Sequence, residues 1–252
     1  MRAQTTYTEL LPSTDLAELI DSFWKHENLS EHQEETIIFP DSFAKLIIVV
    51  INGKIQRYFF TGVWTEQKAF MVPPRSMVFG CRLKVLAPEF LFNQSFSQIK
   101  DAIKPVELGF LKVQRLDLSN FETLVNQWQH ELRLQRINKE IGSNKLRLSQ
   151  LLYTAKGALS ATEVSEQIYW SNRQINRYLN KWLGLSLKKY LNIQKCYQSY
   201  MHIRNGELQP KEDYFDQAHF IKEVKKHTGE TPTELFKEQN DRFIQLKNIK
   251  EK

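Results

Sequence analysis

The chain is poor in cysteine and has no long apolar run. Only Cys81 and Cys196 occur among its 252 residues, too few for a disulfide framework or a four-cysteine zinc site. No segment approaches the roughly 20 apolar residues of a membrane-spanning helix, and residues 1–20 lack the basic and apolar regions of a signal peptide. We therefore expect a cytoplasmic protein without a membrane contact, in which both cysteines are small buried residues.

Positive charge is concentrated in the second half of the chain. Residues 145–252 carry 19 Lys and Arg against 12 Asp and Glu, whereas residues 1–144 carry 16 basic and 17 acidic residues. Apolar residues make up 41% and charged residues 25%, which is typical of globular domains. The length fits two domains, and the basic half is compatible with a polyanionic partner such as DNA.

The first half has short apolar runs that predict strands. Asn52-Gly53 stands between two of these runs, and this dipeptide is a strong signal for a β-hairpin. Helices are expected at Leu16 to Trp24 and, as short segments, between Pro88 and Lys104. The fold class of this half is therefore α+β, with a small, mainly antiparallel sheet and flanking helices. The predicted strands are Thr36 to Phe39, Leu46 to Ile51, Ile55 to Phe60, Ala69 to Val72 and Met77 to Leu86.

A helical pattern replaces the strand pattern from Phe121 onward. Ser119 and Glu122 predict a capping box for a helix that runs to about Ile141, and Gly142 then breaks the chain. A second helix is expected from Lys145 to Lys156. We divide the chain into a sheet-rich domain of residues 1–112, a helical connector of residues 113–144 and a C-terminal domain of residues 145–252.

The C-terminal domain is predicted to be all α. Further capping boxes start at Ser160, Ser171 and Thr231, and glycines stand where helices should end. The punctuation predicts helices at 161–168, 172–183, 187–204, 217–227 and 232–245.

Residues 160–184 have the spacing of a helix-turn-helix unit. On its second helix, Ile175, Leu179 and Leu183 recur every four residues and predict a buried stripe. The other faces carry amide and guanidinium groups, which are suited to reading base edges in the major groove, although an ordinary solvated helix face has similar composition. These side chains belong to Asn172, Arg173, Asn176, Arg177 and Asn180.

Two sequence blocks resemble the double helix-turn-helix of AraC/XylS-family transcription regulators. The first comprises Ser171 to Leu179, Trp182 to Ser186 and Lys189 to Leu191. The second comprises Tyr214 to Phe220 and Gly229 to Pro232. Both blocks occur in the family's order over about the last hundred residues.

The resemblance implies two recognition helices, Asn172 to Leu183 and Gln217 to His227, held about one DNA turn apart by the helix Leu187 to Arg204. The partner would be double-stranded DNA. Its bases would be contacted by Asn172, Arg173, Gln174, Asn176, Arg177, Gln217, Ala218 and Lys222. Its phosphates would be contacted by Lys188, Lys189, Lys225 and Lys226.

The chain departs from the family pattern in both turns. Tyr169 stands where the family usually has Gly, so we expect a turn of different shape. In the second unit, Asp213 replaces the usual Gly and Pro210 interrupts the preceding segment, so its first helix is expected to be truncated. Tyr214 and Phe215 are expected to anchor the second unit's core.

The first half resembles, in shorter matches, the sensory or oligomerisation domain of some AraC-type regulators. These matches are Phe23-Trp24, residues 39–42, residues 62–64 and residues 79–82. They imply a domain that binds a small-molecule effector or forms a homodimer. The aromatic residues Trp24, Phe43, Trp64 and Phe79 could line a pocket, but core packing is the favoured interpretation.

The sequence therefore predicts a transcription regulator that is not an enzyme and has no cofactor or metal. If it is an activator, RNA polymerase is a further partner. A DNA-repair enzyme with a metal-held cysteine would need clustered cysteines, and a metal-dependent barrel would need more histidines than His26 and His32 near the strands. The alternative that stays open is a protein-interaction module derived from such a regulator, which no longer reads DNA specifically.

Overall fold

The computed structural model describes residues 5–137, 139–210 and 214–237. Its first part is an antiparallel β region, and its second part is helical, as the sequence predicts. The strands are β1 (Thr5–Leu10), β2 (Ile20–Asn28), β3 (Glu34–Ile38), β4 (Ala44–Ile51), β5 (Lys54–Thr61), β6 (Lys68–Val72), β7 (Ser76–Leu83) and β8 (Ile103–Pro105).

Six of the strands form one sheet in the order β1-β2-β7-β4-β5-β8, and β3 pairs with β6 in a second, two-stranded sheet. The predicted hairpin is present between β4 and β5, where Ile51 pairs with Lys54. Asn52 and Gly53 have φ angles of 51° and 71°. Both values are positive, as a type I′ turn requires.

The helix predicted for Leu16 to Trp24 is wrong, because Ile20–Asn28 is strand β2, which lies between β1 and β7 in the sheet. Both faces of this strand are buried. Phe23 lies in the main core, whereas Trp24 stacks on Tyr7 across the sheet with 6.2 Å between ring centroids. The apolar residues Leu16, Leu19, Ile20 and Phe23 have the i, i+3, i+4, i+7 spacing of an amphipathic helix, which explains the wrong prediction. The polar residues Asp21 and Ser22 between them are buried as well.

Eight α-helices and two short 3-10 turns occupy the described part of the remaining chain. The helix after residue 120 is shorter than predicted, and its N-cap is Asn120 rather than Ser119. The helices from residue 161 onward agree with the predicted bounds within one residue up to Lys237, whereas the helix predicted to begin at Lys145 begins at Ser143. The rest of the last predicted helix lies outside the described residues. None of the described helices is long and apolar enough to cross a bilayer. The helices are α1 (Ala87–Phe90), α2 (Phe121–Gln135), α3 (Ser143–Ala155), α4 (Ala161–Ile168), α5 (Asn172–Leu183), α6 (Leu187–Arg204), α7 (Gln217–Thr228) and α8 (Pro232–Lys237).

The main core continues from the sheet into the helical region. One cluster of buried residues includes Phe23 and Leu46 from the sheet together with Leu152, Ile175 and Leu187 from the helices. Polar contacts cross the same boundary, since Lys145 Nζ lies 2.7 Å from Glu89 Oε1. The residues on the two sides of the proposed boundary near residue 144 therefore share a core.

A second core joins the end of the chain to the loop before β4. Phe39 is fully buried in a cluster with Tyr200, Phe220, Val224 and Leu235, and its ring lies 5.0 Å from that of Tyr200. The cores around α5 and around α7 thus both include residues of the β region.

Candidate nucleic-acid interface

The α4–α5 pair is built on two capping boxes that the sequence predicts. Ser160 accepts a hydrogen bond from the N–H of Glu163 at 3.3 Å, and Ser171 accepts one from the N–H of Gln174 at the same distance. In each pair the third-position side chain returns a bond to the cap backbone. The boxes satisfy orphan N–H groups at both helix starts, which fixes where each helix begins.

A left-handed residue stands in the turn between α4 and α5. Tyr169 has a φ of 57° and a ψ of 32°, so the expectation of a differently shaped turn is wrong. Its side chain is 77% exposed and lies 5.7 Å from the guanidinium of Arg147. Because the ring is outside the core, the left-handed backbone does not force it into a packed neighbour.

The buried stripe predicted for α5 is confirmed. Ile175 and Leu179 are fully buried and Leu183 is 3% exposed. At the end of the helix, the N–H of Phe96 donates to the carbonyl of Trp182 at 2.9 Å. The C-terminal end of α5 is therefore attached to the β region.

The N-terminal half of α5 presents free cationic side chains to solvent. Asn172, Arg173 and Arg177 are exposed. Within the described residues, neither guanidinium has a carboxylate or hydrogen-bond partner. Two unpaired guanidinium groups one helical turn apart can donate to base edges or phosphates without first breaking an internal contact.

Two other predicted contact residues hold the helix in place. The Oε1 atom of Gln174 accepts from the N–H of Ser171 at 2.9 Å. Asn176 is half-buried; it donates to the carbonyl of Asn172 at 2.7 Å and accepts from the N–H of Leu187 at 2.9 Å. Asn176 therefore ties α5 to the first residue of α6, a role that the sequence pattern alone did not show.

The first turn of α6 exposes two lysines beside the α4–α5 pair. Ser186 caps α6 by accepting from the N–H of Lys189 at 3.2 Å, and Lys188 and Lys189 are exposed. The 18 residues of α6 span about 27 Å at 1.5 Å per residue. Its length is therefore compatible with a connector between two recognition helices.

Helix α7 begins at the predicted residue, with Asp216 accepting a hydrogen bond from the N–H of His219 at 2.7 Å. Ala218, Lys222, Lys225 and Lys226 are exposed on it. Gln217 is half-buried, and its amide donates to the carbonyl of Leu208 at 3.2 Å.

The segment before α7 contains no helix in its described residues, 205–210 and 214–216, which agrees with the predicted truncation. Asp213 lies outside the described residues. Tyr214 packs on Phe220 with 5.0 Å between ring centroids, as predicted. Phe215, in contrast, is 93% exposed, so its predicted role as a core anchor is wrong.

The other end of α7 contacts the connection between β5 and β6, which the sequence analysis missed. His227 Nδ1 lies 3.0 Å from the carbonyl oxygen of Thr65. The next turn passes close to the same connection, since a Cβ on Gly229 would lie 2.6 Å from Gln67 Nε2. A histidine in the last helical turn before glycine is an ordinary helix ending, so no local signal marks this contact.

A charged network lies in the β region among the residues that resemble a sensory domain. Lys45 Nζ contacts Asp41 Oδ1 at 2.7 Å, and both side chains are buried. Arg82 contacts Glu9 at 3.2 Å and donates to Tyr7 at 3.0 Å. Burial lowers the pKa of Lys45, and the neighbouring Asp41 carboxylate counteracts this.

The aromatic residues considered as pocket lining are mostly core residues. Trp24, Trp64 and Phe79 are at most 6% exposed, and Phe43 is half-buried. Both cysteines are buried free thiols, as expected.

Comparison with known proteins gives one family match and no curated relative. Residues 8–105 match a family described as a domain of unknown function, DUF6597. No curated protein matches the chain. The family match covers most of the β region and none of the candidate interface.

Among solved structures, the chain is similar to ToxT from Vibrio cholerae, an AraC/XylS-family regulator. ToxT from strain O395 is 12% identical with a TM-score of 0.41, and the alignment covers 98% of each chain. ToxT bound to (E)-4-(8-methylnaphthalen-1-yl)but-3-enoic acid is 13% identical with a TM-score of 0.43, covering 94% of this chain and 99% of that one. Unsaturated fatty acid bound ToxT from strain SCE256 is 11% identical with a TM-score of 0.41, covering 94% and 97%. Structures with so low an identity and TM-score do not establish what the candidate interface binds, and only the chain's own residues bear on that question.

Proposed function

We propose that the chain is a sequence-specific DNA-binding transcription regulator of the AraC/XylS type. The observation that carries the proposal is the free N-terminal half of α5, where Arg173 and Arg177 are exposed and unpaired on a capped helix. The opposite side of this helix is buried and its far end is fixed to the β region. Such a helix can enter a major groove end-on without rearrangement.

The side chains of the interface divide into base-contacting and positioning groups. Arg173 and Arg177 can each donate two hydrogen bonds to guanine, and Asn172 can pair with adenine. Gln174 and Asn176 act first as positioning residues, because their amides already bond within the protein. In α7, Ala218 and Lys222 face the DNA, with Gln217 beside them, while Lys188, Lys189, Lys225 and Lys226 neutralise phosphates.

The β region is proposed to act as the sensory part. It would bind a small-molecule effector or a second copy of the chain, and RNA polymerase would be the partner of an activator. The buried cluster of Asp41, Lys45 and Arg82 would respond to a bound polar group, because buried charges must stay compensated. We propose no enzymatic activity.

Selection of binding sites from random duplex DNA by the full chain tests the DNA-binding proposal. The affinity for the selected site is then measured for the double variant Arg173→Ala, Arg177→Ala. Each lost arginine should cost about 1–3 kcal/mol on the selected site and much less on unrelated DNA. A double variant Lys54→Ala, Arg57→Ala on strand β5 is the matched control, because it removes the same charge from exposed positions outside the helices.

Binding that selects no motif, and that both double variants weaken equally, would contradict direct readout by α5. Salt dependence separates the two classes of contact. Loss of a phosphate-contacting lysine should lower the slope of log affinity against log salt by about one. Loss of a base-contacting arginine should also relax the sequence preference at one position.

A second candidate function is a protein-interaction module that has lost specific readout. The observation in its favour lies before α7, where the described residues form no scaffold helix and Phe215 is 93% exposed. An exposed aromatic side chain is a frequent anchor at protein interfaces. Phe215→Ala should leave DNA affinity unchanged and weaken a protein complex if this function holds.

A further inference from the structure

A cleft of about 350 Å³ lies where the β region meets α6 and α7. Three separate elements form its walls, namely the β5–β6 connection, the first turn of α6 and the last turn of α7. We call it the junction cleft, and it is lined by Thr65, Glu66, Ser186, Lys188, Lys189, Asn192, Lys226 and His227.

The junction cleft is electropositive. The ammonium groups of three lysines line it together with the single carboxylate of Glu66. Lys226 Nζ also lies 3.3 Å from Oε1 of Glu223 beside the cleft, so one positive charge remains uncompensated. The cleft also contains the start of α6, where the helix dipole adds a partial positive charge. An anionic ligand would balance this excess of positive charge.

A buried histidine gives the cleft a polar group without a complete set of partners. His227 is 2% exposed, and its Nδ1 lies 3.0 Å from the carbonyl oxygen of Thr65. Because a carbonyl oxygen only accepts, Nδ1 carries a proton. Nε2 has no hydrogen-bond partner in the described part of the chain, and Glu223 Oε2 lies 3.8 Å from it. Buried polar atoms are normally satisfied, so this Nε2 is available to a ligand. It accepts a hydrogen bond when the ring is neutral and donates one to a phosphate oxygen when the ring is protonated.

We propose that the junction cleft binds the phosphate group of a small ligand. A phosphate monoester carries a charge of about −1.5 to −2 at pH 7 and three strong acceptor oxygens. Lysine ammonium groups and the start of a helix are recurrent partners of phosphate. The bound phosphate would bridge the segment between β5 and β6 to both α6 and α7. It would thereby fix the spacing of the two recognition helices, a regulatory role that rests on the proposed function.

A comparison of substitutions at the neighbouring residues Lys225 and Lys226 provides the sharpest test. Both are exposed on the last turn of α7, but only Lys226 lines the cleft. The full chain is titrated with inorganic phosphate at constant ionic strength, by calorimetry and by imidazole NMR signals. Saturable binding is expected, with a shift of the His227 signals. Lys226→Ala and Lys189→Ala should each weaken it about tenfold, the effect of losing one charge-assisted hydrogen bond, and Lys225→Ala should leave it unchanged.

A parallel DNA titration distinguishes a small ligand from the DNA backbone as the source of phosphate. If inorganic phosphate does not saturate the protein while Lys226→Ala still weakens DNA binding, the lysine serves DNA and the small-ligand proposal is wrong. Equal loss in the Lys225→Ala and Lys226→Ala variants would also overturn it, because the effect would then be general charge. Saturable phosphate binding to a protein that selects no DNA motif would leave the cleft assigned and refute only the DNA-binding proposal.

Discussion

The phenol of Tyr153 on α3 donates a hydrogen bond of 2.6 Å to Asp21 Oδ1 on β2. Asp21 is 6% exposed, so this bond ends on a buried carboxylate at the contact between helix and sheet. Replacing Tyr153 by Phe should lower the free energy of unfolding by about 1.5–3 kcal/mol, the range for hydrogen bonds to charged groups. Urea denaturation measures the change. Tyr169→Phe is the control, since that side chain is 77% exposed, and an equal loss there would refute the prediction.

Gly184 holds the end of α5 against the β region. Its φ is 72°, and a Cβ there would lie 2.9 Å from the carbonyl oxygen of Ser97. Gly184→Ala should therefore destabilise the protein by about 2 kcal/mol or more, through backbone strain and the close contact. Gly109→Ala is the control, because φ is −69° there and nothing lies within 4 Å of the added Cβ. The urea midpoint should fall clearly for Gly184→Ala and should stay the same or rise for Gly109→Ala. Equal shifts in the two variants would contradict this account.

The side chain of Asn176 should contribute more to the free energy of unfolding than that of Asn180 on the same helix. Asn176→Ala removes the acceptor of the Leu187 N–H and leaves that donor without its partner at the start of α6. The expected cost is about 1–3 kcal/mol. Asn180→Ala removes only the hydrogen bond that this side chain donates to the carbonyl of Asn176. Both substitutions raise the helix propensity of their position by the same amount, because each replaces Asn by Ala. Thermal unfolding of both variants tests the difference, which should vanish if the α5–α6 link is unimportant.

The pair of Asp15 and Arg133 should make stability depend on pH in acid. Hydrogen bonds from Arg133 and then Ser13 lower the pKa of Asp15 to about 2, from about 3.9 in an unfolded chain. The stabilisation is present above pH 4 and is lost as the pH falls towards 2. Because the side chains are 46% and 40% exposed, the effect should stay below about 1 kcal/mol. The urea midpoints of wild type and Asp15→Asn should differ at pH 6 and converge near pH 2. A constant difference would contradict the assignment.

The C-terminal helices were predictable because their boundaries are encoded locally. Ser160, Ser171 and Asp216 each accept the backbone bond that starts a helix, and Gly184 and Gly229 end helices in the left-handed conformation. A capping residue and its partner are three positions apart, so a short sequence window contains the whole interaction. The Asn52-Gly53 hairpin was predictable for the same reason.

Features that depend on distant residues were not predictable. The apolar residues of positions 16–23 have helical spacing, whereas the burial of β2 on both faces depends on distant residues such as Tyr7 and Trp128. The contacts of His227 with Thr65 and of Lys145 with Glu89 join residues far apart in sequence. At the interface, the exposure of Arg173 and Arg177 follows from helix periodicity, whereas the internal bonds of Asn176 depend on how α6 is placed.

Phe39 supplies the β region's share of the second core, beside Tyr200, Phe220 and Leu235. A chimaera that joins this chain's helical part to the β region of another regulator would lack Phe39, and the space that its ring fills between the helices would be empty. Removing a buried phenylalanine costs about 3–5 kcal/mol in other proteins, so such a transplant would lose order first around α7. The loop of residues 39–42 must therefore be transferred together with the helices.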